Sequence, residues 1–405
     1  ATVCLIGHSL RDDEARHLAT LAGATDRVRA DDIRPGTFTP VGDPDDVAVI
    51  PFSSGTTGLP KAVELTHRAV TANAAQFNAA LAASGIGPGG EVVAPLPFSH
   101  IYGLNTLLLS SLAAGRHVYT AARFDFAEFA AAHRGRAIDV SYIAPPIALA
   151  LANHADPADF AGTRFMVCGA ASLDTSLART VERRIGVEIL QGYGTTESAP
   201  VTHVGIAGKS DPGTIGFALP NTQFRLSDSG ELLVRGPQLM RGYLGNPDAT
   251  AAAIRDGWLH TGDVGSLDAD GYLTYHGRAD DVMNAMGYRV SPIEVEDALA
   301  GVAGVAEVAV RLIRLFAQEF GTRLPVQYQL IEFQAVEGAQ RGLQIMVQLL
   351  AQCHLRGAAR RRGAGKQLLQ MRITGQLLAD AFDGGVAARQ CGPENALVAR
   401  QLLIQ

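Results

Sequence analysis

Short apolar runs alternate with segments whose apolar residues recur every three or four positions through the first two hundred residues. The short runs, rich in valine and isoleucine, predict strands, and the longer periodic segments predict helices. Helices are predicted at residues 12–22, 69–82, 104–114 and 125–134, and strands at 3–6, 47–52, 92–97, 118–120, 140–143, 164–167 and 187–190. Strands that alternate with helices favour an α/β fold with a largely parallel sheet over residues 1–210.

The pattern changes twice further along the chain. Residues 211–277 hold short runs separated by turns, at 216–218, 223–226, 231–235 and 271–276, which predicts a small β-rich subdomain. Beyond residue 310 glutamine becomes frequent, with 14 of the 18 glutamines in 311–405, where twelve basic residues outnumber six acidic ones. Residues 311–405 form an atypical Gln-rich basic tail, predicted to be helical or disordered, with helical spacing at 312–320 and 343–353.

Composition excludes several classes of protein. The 405 residues are 47% apolar with a net charge of −6, which is typical of a globular chain of two or more domains and argues against a nucleic-acid surface. No apolar run approaches a membrane span, and we expect neither a membrane-spanning segment nor a signal peptide. Four widely separated cysteines without metal-ligand spacing predict reduced thiols and a cytoplasmic location. Of the 34 lysines and arginines only three are lysines, which leaves few candidates for lysine chemistry.

The strongest chemical signal lies at residues 51–67, which read PFSSGTTGLPKAVELTH. An apolar run precedes this string, so we expect a strand that opens into a phosphate-holding loop. Glycines let backbone N–H groups approach an anion, hydroxyls add donors, and Lys61 adds a positive charge. The Walker P-loop is excluded, because two residues rather than four separate its glycines and Lys61 is followed by alanine. The predicted loop residues are Ser53, Ser54, Gly55, Thr56, Thr57 and Gly58.

A second string, QGYGTTESAP, follows the predicted strand at 187–190. Tyr193 offers a ring that stacks on a flat base. Thr195 and Thr196 offer donors to phosphate, and Glu197 offers oxygen ligands to Mg²⁺. By itself the string is also compatible with an ordinary turn and a helix cap. Beside the first loop, it favours ligand binding at the carboxyl end of a strand.

Four further strings carry weaker signals. In GWLHTGDVG, Asp263 is bracketed by glycines and suits two vicinal hydroxyls, although turn aspartates are common. Arg278 in GRADDV offers a guanidinium to ribose or phosphate, although charged turn residues are usually only solvated. His100 in PFSHIYGLN follows a predicted strand, and a lone histidine is more often structural than catalytic. The string CGAASL begins after another strand with three small residues, Gly169, Ala170 and Ala171.

Together these strings resemble the signature of the adenylate-forming superfamily, which includes acyl- and aryl-CoA synthetases, 4-coumarate–CoA ligases and the adenylation domains of peptide synthetases. The resemblance covers about residues 1–310 and leans towards the coumarate-ligase-like branch. It implies a large N-terminal domain of the acyl-CoA synthetase type, with parallel-sheet α/β subdomains and a small β-rich subdomain, and it marks residues 278–310 as a hinge and the start of a small domain. It also implies ATP, Mg²⁺ and coenzyme A as cofactors and a small carboxylic acid as substrate.

The resemblance assigns roles to single residues. It implies that Tyr193 faces adenine, that Thr196 contacts the α-phosphate and that Glu197 binds Mg²⁺. The implied catalytic residues are these last two with Lys61 and with His100, which borders the acyl pocket. The remaining implied roles are nucleotide contacts for Gly169, Ala170, Ala171, Gly194 and Thr195, ribose binding for Asp263, ribose or phosphate binding for Arg278, the domain hinge for Asp280 and the pantetheine route for Gly287.

The implied reaction is ATP-dependent activation of a carboxylic acid to an acyl-adenylate, followed by thioester formation with coenzyme A. Joining a carboxylate to ATP brings two anions together, so the site must neutralise phosphate charge and align the acid with the α-phosphate. Two alternatives stay open: a catalytically impaired nucleotide-binding remnant, and an adenylation enzyme that loads a carrier protein.

The chain departs from the family at both ends. Relatives have a longer region ahead of the phosphate loop, so we expect an N-terminally truncated domain. Relatives also end in a small α/β domain whose lysine bridges the carboxylate and ATP, and nothing after Arg311 resembles that domain. Lys366 is the one lysine in this tail, and it lacks the family's neighbouring proline and hydroxyl. We therefore expect the small domain to be absent or replaced by a frameshifted, fused or mispredicted end, with impaired activity.

Overall fold

The computed structural model describes residues 2–7, 10–25, 42–53 and 60–279, and the backbone of four further strands. The chain divides into two compact units, Ala1–Tyr275 and His276–Gln405. None of the helices in the described part combines the length and apolar character that a membrane crossing requires.

The described helices and strands follow in chain order. The α-helices are α1 (Asp12–Leu21), α2 (His67–Ala83), α3 (Ser110–Ala113), α4 (Phe126–His133), α5 (Pro145–His154), α6 (Thr175–Ile185) and α7 (Pro247–Ala253). A π-helix spans Tyr102–Leu109, and 3₁₀ turns span Pro157–Phe160 and Thr196–Ser198. The strands of the first unit are β1 (Val47–Val49), β2 (Phe52–Ser53), β3 (Lys61–Thr66), β4 (Glu91–Val93), β5 (His117–Tyr119), β6 (Ile138–Ile143), β7 (Thr163–Cys168), β8 (Glu188–Gly194), β9 (Val201–Val204), β10 (Phe217–Ala218), β11 (Gln223–Leu226), β12 (Glu231–Arg235), β13 (Gly242–Tyr243), β14 (Ile254–Arg255), β15 (Trp258–Leu267) and β16 (Leu273–Arg278), the last of which runs on past Tyr275.

A seven-stranded sheet with the order β10-β9-β8-β7-β6-β4-β5 forms the centre of the first unit. Its strands β5, β4, β6, β7 and β8 are parallel, while β9 pairs antiparallel with β8 and β10 pairs antiparallel with β9. Side chains alternate between two apolar clusters: Phe165 and Val167 lie in one, and Met166 and Cys168 lie in the other. A parallel sheet buried on both faces is the usual core of an α/β protein, so the predicted fold class is confirmed.

A smaller sheet holds the flanks of the predicted phosphate loop. Its central strand β3 pairs with β1 on one side and with β13 on the other, and β2 pairs with the beginning of β3. The strand leads directly into α2, where the Thr66 hydroxyl accepts from the backbone N–H of Ala69 at 3.1 Å. This is the helix cap that the sequence predicts, and it fixes the angle between β3 and α2.

A third sheet, with the order β11-β12-β15-β14 and β16 paired to β15, accounts for most of the predicted β-rich segment. The segment is not self-contained, however. Strand β10 joins the seven-stranded sheet, and β13 pairs with β3. The residues after 210 therefore contribute strands to all three sheets of the first unit.

Several local predictions need correction. Helix α5 begins at Pro145, where the sequence predicts only the end of a strand, because proline suits the first helical position. Helix α6 was not predicted, although Asp174 caps it by accepting from the N–H of Leu177 and Gly186 ends it at φ 70°. The predicted strand at 3–6 reduces to a bridge between Val3 and Val49.

In the second unit the backbone forms two hairpins, of β17 (Met283–Ala285) with β18 (Tyr288–Val290) and of β19 (Val308–Leu315) with β20 (Tyr328–Ala335). The helix predicted at 312–320 is therefore wrong over its first four residues. Val308, Val310 and Leu312 alternate with other residues, and this period of two fits a strand. The second predicted tail helix, at 343–353, lies outside the described residues.

Candidate active site

Several of the predicted site residues lie at or beyond the carboxyl ends of parallel strands. His100 and Tyr102 lie beyond β4, Gly169 comes directly after β7, and residues 193–197 span the end of β8 and the turn after it. Carboxyl ends of neighbouring parallel strands lie at one edge of a sheet, where open α/β sheets bind their ligands. The fold thus brings together strings that are about a hundred residues apart.

The flanks of the predicted phosphate loop form an antiparallel pair. Ser53 at the end of β2 lies opposite Lys61 at the beginning of β3. A strand therefore leads into the predicted loop, as expected. The remaining loop residues, Ser54, Gly55, Thr56, Thr57 and Gly58, lie outside the described residues.

Lys61 and Glu197 are joined through a tyrosine that the sequence analysis did not single out. The Lys61 ammonium lies 5.0 Å from the centroid of the Tyr243 ring. The Tyr243 hydroxyl donates to Glu197 Oε1 at 2.8 Å. Tyr243 reaches this position because it pairs with Val63 across β13 and β3, a contact that no local pattern signals.

The turn that carries Thr196 and Glu197 is fixed by its own backbone. The N–H of Thr195 donates to Ser198 Oγ at 3.1 Å, and the Glu197 carbonyl accepts from the N–H of Met240 at 2.8 Å. Within the described part of the chain, the Thr196 hydroxyl makes no hydrogen bond. The turn therefore holds the Thr196 hydroxyl, which can donate to a phosphate group, beside the half-buried Glu197 carboxylate, which can bind the cation of that phosphate.

Gly194 is required at the start of this turn by a close approach of two backbones. A Cβ atom on Gly194 would lie 1.9 Å from the carbonyl oxygen of Pro200 and 2.9 Å from Cα of Val201. Gly192, two residues earlier, is different, because its Cβ would meet nothing closer than 3.5 Å. The structure thus explains on steric grounds why residue 194 is a glycine, which the sequence alone did not show.

Two buried asparagines hold the other side of the turn. Asn73 of α2 donates to the carbonyl of Val201 at 2.7 Å and accepts from its N–H at 3.2 Å. Asn105 of the π-helix donates to the carbonyls of Ala199 at 2.5 Å and Val70 at 3.2 Å. Neither residue was predicted as part of the site, since each acts on backbone that is distant in sequence.

The second predicted carboxylate, Asp263, accepts from two tyrosines. Tyr193 donates to its Oδ2 at 2.5 Å, and Tyr275 donates to its Oδ1 at 3.4 Å. Asp263 is only 4% exposed, and its own N–H donates to the Thr261 hydroxyl at 3.0 Å. Burial, and then the adjacent Asp263 carboxylate, raise the pKa of Tyr193 well above its ordinary value, so its hydroxyl stays a donor.

The residues expected to border the acid lie near the end of β7. A Cβ on Gly169 would come within 3.1 Å of the Tyr102 ring, whose hydroxyl donates to the Val167 carbonyl at 3.1 Å. Ala170 has φ 74°, a left-handed conformation that is uncommon outside glycine and often occurs at functional sites. The exposed His100 accepts at Nδ1 from the N–H of Tyr102 at 3.2 Å, so its neutral form carries the proton on Nε2.

The remaining predicted residues belong to the second unit. Arg278 is the last residue of β16. The hinge residue Asp280 and the pantetheine-route residue Gly287 lie outside the described residues. Their roles stay predictions.

The donor set fits Mg²⁺ only in combination with a nucleotide. No group of three or more histidine, cysteine, aspartate or glutamate side chains that could hold a metal occurs in the described ranges. Glu197 supplies one carboxylate, whose orientation Tyr243 fixes. Mg²⁺ is commonly bound by one or two carboxylates together with substrate phosphates and water, so a single fixed glutamate is compatible with it.

Comparison with known proteins places these residues in a family. The family of AMP-binding enzymes matches residues 3–244. The chain is 36% identical over 288 residues to 4-coumarate–CoA ligase 2 of Oryza sativa subsp. japonica, covering 66% of this chain and 51% of the relative. It is 34% identical over 280 residues to a long-chain-fatty-acid–CoA ligase of Bacillus subtilis (strain 168), covering 65% and 50%. The chain thus spans about half the length of these curated relatives.

A solved structure gives the same result. ATP-bound MatB from Rhodopseudomonas palustris superposes with a TM-score of 0.66 at 25% identity, covering 76% of this chain and 63% of that one. The resemblance to acyl- and aryl-CoA synthetases is thereby confirmed for the N-terminal part. Because the family match covers more than half of the 405 residues, the chain belongs to the AMP-binding enzymes.

Proposed function

We propose that this protein activates a carboxylic acid with ATP to an acyl-adenylate and then transfers the acyl group to coenzyme A. The observation that carries the proposal is the 2.5 Å hydrogen bond from Tyr193 to Asp263. It joins two strings, seventy residues apart, whose expected partners are the adenine and ribose of one nucleotide. The names of the relatives, 4-coumarate–CoA ligase and long-chain-fatty-acid–CoA ligase, support the same reaction.

In the proposed reaction a carboxylate oxygen attacks the α-phosphorus of ATP. The bond from the α-phosphorus to its bridging oxygen breaks, and pyrophosphate leaves with the electron pair. The Thr196 hydroxyl donates to the α-phosphate, and the Lys61 ammonium offsets the charge of the phosphates. Mg²⁺, when bound at Glu197, supplies further positive charge there. The thiol of coenzyme A then displaces AMP from the acyl carbonyl.

The test is ATP–pyrophosphate exchange over a panel of aryl and fatty acids, without any thiol. We expect exchange with either the aryl or the fatty acids, and the active class identifies the substrate class. Glu197→Gln removes the charge of the proposed metal ligand, and we expect exchange to fall roughly 10²- to 10³-fold. Asp270→Asn makes the same change at an exposed turn residue and serves as the matched control.

Two results would contradict the proposal. ATP binding without exchange for any acid would favour the nucleotide-binding remnant. An equal loss in Glu197→Gln and Asp270→Asn would remove Glu197 from the site. If exchange occurs, adding coenzyme A or a pantetheinylated carrier protein separately identifies the acceptor. We propose coenzyme A and a cytoplasmic location, where ATP and reduced thiols occur together.

A further inference from the structure

We infer that Tyr243 is the positioning residue of this site: its hydroxyl orients the Glu197 carboxylate while its ring holds the Lys61 ammonium. The inference rests on the proposed function, because that function makes Glu197 a metal ligand. It adds a residue from a separate strand, β13, which none of the predicted strings contains. One side chain thus sets the relative placement of two groups that face the same phosphates.

The first step of the argument is the hydrogen bond. Tyr243 donates to Oε1 of Glu197 at 2.8 Å, which occupies one carboxylate oxygen and leaves Oε2 for a cation. Carboxylates that bind metals are commonly oriented by such donors, and loss of the donor typically weakens metal binding about 10- to 100-fold. Tyr243 is itself held in place because β13 pairs with β3 and packs against α7.

The second step is the placement of Lys61. Its ammonium lies 5.0 Å from the centroid of the Tyr243 ring, within the range of a cation–π contact. In the described part of the chain, Lys61 and Glu197 form no ion pair with each other. Because the tyrosine lies between them, the two charges do not neutralise each other directly. Both remain available, the lysine for phosphate oxygens and the glutamate for a cation.

The third step is a comparison with a similar contact elsewhere. Tyr119 of β5 also donates to a glutamate, Glu91 of β4, at 3.1 Å. The cation at the Tyr119 ring is the guanidinium of Arg136, 4.8 Å from the ring centroid. Each tyrosine therefore donates to a glutamate and has a cation at its ring. Tyr243 lies at the candidate site, whereas Tyr119 lies on the edge strand β5. Tyr119→Phe is the matched control for Tyr243→Phe.

The experiment measures ATP affinity by calorimetry with Mn²⁺ and again with a chelator, using the full chain without any acid. We expect Tyr243→Phe to reduce the metal-dependent gain in ATP affinity about 10-fold while metal-free ATP affinity stays unchanged. Tyr243→Leu removes the ring as well, so metal-free affinity is expected to fall too. Tyr119→Phe leaves both affinities unchanged. Melting temperatures of all variants separate these effects from unfolding.

The outcomes are distinguishable. A metal-dependent gain in Tyr243→Phe within twofold of the wild type would overturn the inference and leave the proposed function standing. Absence of any metal-dependent ATP binding by the wild type would overturn the proposed function and the inference with it. If Tyr243→Phe melts early, the titrations are repeated at a temperature well below its melting transition, and an unchanged metal-dependent gain there contradicts the inference.

Discussion

The site contains two tyrosine–carboxylate pairs that differ in their surroundings. The nucleoside pair, Tyr193 with Asp263, lies beside an apolar cluster, and its carboxylate is 4% exposed. The phosphate pair, Tyr243 with Glu197, is half-buried and lies beside Lys61. A buried carboxylate must keep its donors for the fold to be stable, whereas a half-buried one retains water as an alternative partner. A substitution in the nucleoside pair is therefore expected to reduce both stability and nucleotide binding, whereas a substitution in the phosphate pair can reduce binding alone.

Gly194→Ala is expected to have the largest effect, because it disrupts both pairs at once. The added Cβ would lie 1.9 Å from the Pro200 carbonyl oxygen, so the backbone between Tyr193 and Glu197 must move. We expect loss of nucleotide binding and a stability loss of about 1–3 kcal/mol. Gly192→Ala, whose nearest contact is 3.5 Å, is the control. Calorimetric ATP titration and urea unfolding measure the two effects, and equal behaviour of both variants would contradict the steric argument.

Asp263→Ala tests the nucleoside pair. It leaves the Tyr193 hydroxyl without its carboxylate acceptor, so we expect a loss of about 1–3 kcal/mol in unfolding free energy together with loss of ATP binding. In a cycle with Tyr193→Phe, the second substitution should cost much less once the first is present, because both remove one hydrogen bond. Additive losses in urea unfolding would show that the pair is not coupled.

Glu197→Gln tests the phosphate pair. The amide oxygen still accepts from Tyr243, so we expect the free energy of unfolding to change by less than about 0.5 kcal/mol while exchange activity falls. Urea unfolding of Glu197→Gln beside Asp263→Ala measures the contrast between the two pairs directly. A stability loss in Glu197→Gln as large as that in Asp263→Ala would show that the two pairs do not differ in their contribution to stability.

Mild acid is expected to lower the free energy of unfolding gradually. His203, whose ring centroid lies 6.1 Å from that of Tyr193, is fully buried, and burial lowers its pKa to about 3. Because the pKa of the unfolded state is near 6.5, the stability that this histidine contributes is complete above pH 6.5 and declines as pH falls towards 3, by about 1.4 kcal/mol per unit. His133, with a pKa of about 4, adds a similar loss.

His203→Asn isolates the contribution of His203 to the pH dependence of stability. The asparagine oxygen can accept from Thr202 in place of Nδ1, which the Thr202 hydroxyl contacts at 3.0 Å. Between pH 7.5 and 4.5 the free energy of unfolding, measured with urea, should then fall less steeply than in the wild type. The difference in slope corresponds to one proton fewer taken up on unfolding. Parallel slopes in the two proteins would show that His203 does not titrate on unfolding.

Sequence patterns predicted part of the local structure. Thr66 caps α2 as predicted, and the parallel strands lie close to the predicted positions. Helix α5 was missed because Pro145 was interpreted only as a strand end, although proline also begins helices. The last four residues of tail strand β19 were predicted as helix because its apolar residues satisfy both periods over a few positions.

The site was predictable to the extent that its residues lie in short strings. Thr196, Glu197 and Asp263 were identified because glycines and hydroxyls surround them. Tyr243 and Tyr275 were not, because each acquires its role by strand pairing that brings distant residues together. A lone tyrosine in a strand carries no local sign of the carboxylate it contacts.

The pairing of β13 with β3 also bears on how the chain is made. Residue 63 meets residue 243 across these strands, so 180 residues must emerge from the ribosome between the two halves of this contact. At a synthesis rate of about 5–20 residues per second, one edge of β3 stays unpaired for roughly 10–40 s. An open strand edge invites pairing with other chains. Nascent chains of this protein therefore expose this edge of β3 until Tyr243 has emerged from the ribosome.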